Sequence, residues 1–261
     1  MEHITFGQLP AVRITAPDGA TAVVTLYGAH LVSWVGLDGG ERMFMSKRSA
    51  LDASRAIRGG VPVIFPQFAE QGNAMRHGFA RVSTWRVVGD GSDAGAAWAE
   101  FALNETDLAP AHAAAWPHHF ALRLRVTVHA NALEMTFSVR NTGAAPFPFA
   151  AALHTYHSVP HLADVRIDGV EAGTLALSDK LDTIYGGIKG AVTLATPARV
   201  LTLEQDGFTD AVVWNPGAAD TAALADMADD EYQRFVCIEP ALLTPLTLAP
   251  GQVWDGHYRV R

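Results

Sequence analysis

Two stretches of alternation constrain this chain more than anything else in it. In Phe120–Val128, the side chains of Leu122, Leu124, Val126 and Val128 alternate with mostly polar neighbours. In Leu133–Val139, Leu133, Met135, Phe137 and Val139 alternate with Glu134, Thr136 and Ser138. A period of two puts every apolar side chain on one face of an extended strand. The pair therefore predicts an antiparallel hairpin buried on one side. Ala130–Asn131–Ala132 join the two runs, and asparagine's tolerance of positive φ suits a tight turn there.

The same texture runs along the rest of the chain. Thr21–Tyr27 and His30–Leu37 are β-branched and aromatic and are separated by Gly28–Ala29. Further strands are expected at Arg81–Val88, Ala97–Leu103, Phe147–His154, Val200–Leu203, Ala211–Trp214, Phe235–Glu239 and Gln252–Val260. Only Leu108–Ala115 and Thr221–Ala228 read as helices, both short and peripheral. Many short strands with few amphipathic helices predict an all-β sandwich or barrel. No linker, repeat or low-complexity tract divides the chain, so residues 1–261 are expected to form a single domain.

Charge and cysteine content narrow the function. The formal net charge of -8 argues against nucleic acid or an anionic membrane as a partner, while a local basic cluster can still hold a small anion. Cys237 is the only cysteine, so no intrachain disulfide can form. No apolar run is long enough to span a bilayer, and the N-terminal residues lack the pattern of a leader, so a cytoplasmic protein is expected. Sequence spacing identifies no exposed sheet edge, and a monomer is favoured.

Two apolar runs each carry one titratable side chain. His154 follows Ala150–Leu153, and Glu239 follows Phe235–Ile238. An imidazole and a carboxylate at the ends of buried strands can serve as an acid–base pair, because burial and proximity tune both pKa values. The alternative is a hydrogen-bonded core histidine and a capped strand-end carboxylate. Arg58 beside Gly59–Gly60 offers a forked donor where ligand can approach the backbone. Arg76, His77 and Arg81 surround Gly78 and concentrate cationic donors in an acidic protein, unless Arg58 and Arg81 are surface residues paired with carboxylates. Phosphate-loop, dinucleotide and serine-hydrolase motifs are absent. No metal is expected: in a strand, neither His118 with His119 nor His154 with His157 can face the same way.

Taken together, RGGVPVIFPQ (58–67), HGFAR (77–81), LHTY (153–156), VWNP (213–216), DMADDEY (226–232) and VCIEP (236–240) resemble the D-hexose-6-phosphate mutarotases, or glucose-6-phosphate 1-epimerases, a branch of the aldose 1-epimerase superfamily. The resemblance runs nearly end to end. It implies a galactose-mutarotase-like β-sandwich with an open concave face, no cofactor, and a small-molecule sugar phosphate as ligand. It further implies that His154 is the general acid and Glu239 the general base, with His77, Arg58 and Arg81 on the substrate and Asp182 on sugar hydroxyls. Arg76 stands at a variable position and is assigned to binding only as an addition. Thr183 departs from the family, which commonly has arginine after this aspartate. Asp210, Trp214 and Asn215 are expected to shape the sheet edge, and Asp226, Asp229 and Asp230 to form a solvated, helix-capping run.

In the reaction this implies, the base takes the proton of the anomeric hydroxyl while the acid protonates the ring oxygen. The ring opens to the aldehyde, C1–C2 rotates, and reclosure gives the other anomer. A separation leaving room for a sugar between His154 and Glu239 is expected, with both on one sheet face. Two alternatives stay open: a mutarotase of unphosphorylated aldoses in which the arginines are structural, and a carbohydrate-binding protein without turnover. A glycoside hydrolase fits less well, since only one carboxylate is well supported.

Overall fold

The computed structural model describes residues 1–72, 74–93 and 95–261. Their strands form three antiparallel sheets of four, six and nine strands. The predicted hairpin lies in the nine-stranded sheet, where Phe120–His129 pairs with Ala132–Asn141 in one unbroken register. Its turn is the two residues Ala130–Asn131, and neither takes positive φ, so the expected left-handed asparagine is not used. The six-stranded sheet runs Leu181–Gly186, Asp210–Asn215, Phe235–Leu248, Phe147–Leu153, Val63–Ile64, with Tyr156–Ser158 also on the central strand. The four-stranded sheet is the N-terminal meander from Glu2 to Val35.

The core lies between the inner faces of the two larger sheets. Leu122, Leu124, Val126, Met135, Phe137 and Val139 pack with Phe149, Ala151, Leu153, Val213, Val236 and Ile238 in one buried cluster. The intervening residues of the six-stranded sheet face away from it. Ile64, Ala152, Val212 and Ala241 form a separate apolar layer on that outer face. Alternation therefore assigns odd residues around 151–153 to the core and even ones to the outer face. This is an all-β sandwich with two short α-helices, as the alternation predicts. No helix of the described residues is long and apolar enough to cross a membrane.

Several boundaries differ from the sequence-based expectation. Arg81 sits in a single 3-10 turn, Ala80–Val82, and its strand begins only at Arg86. The strand expected to end at Glu239 continues to Leu248 through Pro240 and Pro245, because it pairs with Phe147–Leu153 along that extension. The strand Leu181–Gly186 had too weak an apolar pattern to stand out, being an edge with alternate residues exposed. The second helix is Gly217–Ala223, and the chain turns at Leu224–Met227 instead of remaining helical.

Candidate active site

Register places the functional side chains. Asp182, Trp214 and Cys237 stand opposite one another across three strands, and the next rung but one is Ile184, Val212 and Glu239. Directly opposed residues share a face, so Glu239 lies on the same outer face as Asp182, Val212 and Trp214. His154, two residues beyond Ala152, continues that face past the end of its strand, and its backbone N–H donates to Pro62 O at 3.0 Å. Thr183 belongs to the opposite parity and pairs with Val213, so the departure from the family pattern falls on the core side of the sheet.

The two catalytic candidates meet. His154 Nδ1 lies 3.3 Å from Glu239 Oε1, in contact but not aligned as a hydrogen bond. They therefore stand side by side on one face, without the expected separation that leaves room for a sugar between them. His154 is 9% exposed and Glu239 1%. The imidazole is stacked on the Tyr156 ring at 4.9 Å and 10°, with Trp214 and His77 edge-on to it. Burial, with the charge of Asp182 behind it, pushes the Glu239 carboxyl well up. Burial pushes His154 well down, and His77, Arg58 and Arg81 add to the effect. In the free site burial thus holds both groups toward their neutral forms.

The cleft over this pair has a volume of about 620 Å³. Arg55, Arg58, Arg76 and Arg81 line it, against the carboxylates of Asp182, Asp226 and Glu239. Its two inner arginines differ. Arg58 donates to Tyr156 Oη at 3.1 Å and pairs with Asp226 Oδ2 at 3.2 Å. Arg81 donates through Nη2 to Arg76 O at 2.9 Å and has no carboxylate partner among the described residues. Burial, with Arg58 and Arg76 nearby, pushes the Arg81 guanidinium down to about 10. Arg76 lies at the exposed rim, paired with Glu70 at 3.0 Å.

His77 is buried, and its Nδ1 accepts the Ala69 N–H at 3.2 Å. Burial and then Arg81, Arg76 and Arg58 push it down to about 3, so it is neutral. Since Nδ1 is an acceptor, the ring proton is on Nε2, which makes His77 a donor. Phe79, two residues on, is buried among Phe65, Trp116 and Phe120 and anchors the segment. Gly78 has φ +68°, and a Cβ there would collide with Phe65 O. Gly59 and Gly60 have a different role from the one expected: their missing Cβ atoms make room for Phe44 and Leu31 backbone, not for ligand.

Asp226 corrects the reading of the acidic run. It turns inward onto Arg58, whereas Asp229 stays exposed beside Arg48, and no helix is capped by either. Trp214 lines the cleft as well as shaping the edge, while Asn215 is structural, donating to Tyr232 O and Phe235 O. Tyr156 was missed although it lies within LHTY. His154, Cys237 and Glu239 also place one donor atom each within 4.8 Å of one another, a trio that pairing histidines by strand parity could not find.

The structure is a β-sandwich with a histidine–glutamate contact in an arginine-lined cleft on the outer face of its six-stranded sheet, and solved galactose-mutarotase-like proteins share that fold. A family model described as "Aldose 1-epimerase" matches residues 10–184 and 171–261. A protein from Cenchrus ciliaris, "Putative glucose-6-phosphate 1-epimerase", is 34% identical over 95% of this chain and 83% of its own length. The crystal structure of a "putative mutarotase" from Salmonella typhimurium superposes with a TM-score of 0.89 at 25% identity, covering 99% of this chain and 92% of that one. A "galactose mutarotase-like protein" from Clostridium acetobutylicum gives 0.78 at 17% identity, over 100% and 97% of the two chains. The chain belongs to the aldose 1-epimerase family.

Proposed function

We propose that this protein is a hexose-6-phosphate 1-epimerase acting as a single domain on glucose 6-phosphate or a close hexose 6-phosphate. The observation that carries the reading is Arg81: a half-buried guanidinium without a carboxylate, in the cleft that holds His154 and Glu239. Such a cation is costly to leave unpaired and is served by an anionic ligand. Trp214 gives the apolar face of a pyranose a surface, and His77 Nε2–H a donor for its oxygens.

Ligand charge also readies the acid. Burial is the main cause that holds His154 down, and Arg58 and Arg81 add to it; a phosphate on these guanidiniums offsets their part and so favours the protonated imidazole. Glu239 then accepts the proton of the anomeric hydroxyl as His154 delivers one to the ring oxygen. Reclosure on the other carbonyl face reverses both transfers. A free-aldose mutarotase is the second reading, because Arg58 is already neutralised by Asp226, as a structural ion pair would be.

Saturation-transfer NMR on glucose 6-phosphate and glucose in parallel separates them. Exchange confined to the phosphate, and reduced about 10²–10⁴-fold in Glu239→Gln with binding retained, is the expected result. Exchange on glucose alone selects the second reading, and exchange on neither leaves only carbohydrate binding.

A further inference from the structure

We propose that His154, Cys237 and Glu239 form a three-donor site for a thiophilic divalent cation of the zinc type, whose occupancy blocks the cleft. Nδ1, Sγ and a carboxylate oxygen lie within 4.8 Å of one another. Two of these groups are buried and unsatisfied: His154 Nδ1 and Glu239 Oε2 have no hydrogen-bond partner. The 3.3 Å between Nδ1 and Oε1 is too poorly aligned for a hydrogen bond, but matches an edge of a zinc tetrahedron, about 3.4 Å for bonds near 2.1 Å. Cys237 lies two residues before Glu239 on the same face and is fully buried, with its sulfur within 4.8 Å of both other donors.

Charge selects the ion. Thiolate, carboxylate and neutral imidazole around a divalent cation sum to zero, so the loaded site adds no net charge among the cleft arginines. A hard cation such as magnesium gains nothing from sulfur or imidazole and meets the same arginines, which disfavours it. Binding releases two protons to solvent, one from the Cys237 thiol and one from the Glu239 carboxyl that burial holds toward its protonated form, and requires no redox step. Three protein donors leave a fourth position open toward the cleft, and both members of the acid–base pair are then occupied. The cation is an inhibitor in this scheme, not a cofactor.

The full-length protein is titrated with Co²⁺ and then Zn²⁺, following absorption, with zinc affinity measured by competition against a chromophoric chelator. One Co²⁺ per chain with a near-ultraviolet thiolate band, displaced by Zn²⁺, is expected. Since Cys237 is the only cysteine, that band can arise only there. Cys237→Ala should lose the band and at least about tenfold in zinc affinity. If Cys237→Ala does not fold, the wild-type spectrum alone decides. A spectrum without the thiolate band, or equal zinc affinity in the folded variant, overturns the site. Where anomer exchange is observed, zinc should abolish it, chelator should restore it, and Cys237→Ala should be resistant. The spectra stand without activity, so failure of the epimerase reading is distinguishable from failure of this one.

Discussion

Replacing Arg81 with glutamine separates binding of the phosphate from binding of the sugar. Nη2 of this guanidinium is used by Arg76 O, and its Nε is buried without a partner, so the remaining donors are free for an anion. One charge-assisted hydrogen bond contributes about 1.5–3 kcal/mol. Its loss should lower kcat/KM for glucose 6-phosphate by about 10- to 150-fold. Activity on glucose, where present, should change by no more than about twofold. Stability should hold or rise, because no ion pair is broken and a half-buried unpaired charge is removed. Arg58→Gln is the contrast: it strands Asp226, whose side chain is 14% exposed, and should lower Tm as well as activity. The measurements are anomer-exchange kinetics on both sugars and thermal melts of the three proteins. Equal losses on glucose and glucose 6-phosphate, or none on either, would refute the assignment of Arg81 to phosphate.

One further outcome follows from the same geometry. Gly78→Ala sets a Cβ against Phe65 O at φ +68° and should cost about 2 kcal/mol or more in urea denaturation, whereas an unchanged midpoint would show that the segment relaxes freely.

Much of this was legible from residue order because strand parity is a local property. Alternation in Phe120–Val128 and Leu133–Val139 gave the hairpin, and the apolar runs before His154 and Glu239 marked both as groups in buried surroundings, although the strand before His154 ends at Leu153. Their common face follows from parity only once register is known, and register comes from pairing between strands distant in sequence. The same limit explains the misjudged acidic run. Asp226 and Asp229 look alike in DMADDEY, yet a turn after the short helix brings one onto Arg58 and leaves the other beside Arg48.

The sequence by itself determined the sandwich class, the absence of any intrachain disulfide, and which histidine, glutamate and arginines could do chemistry, since all of these depend on composition, period and residue type. Tertiary structure alone decided that His154 touches Glu239, that Arg58 is neutralised while Arg81 is not, and that the Cys237 sulfur comes within 4.8 Å of the pair. Those facts depend on distance and desolvation, which arise only when separate strands are brought together, and a linear spacing carries neither.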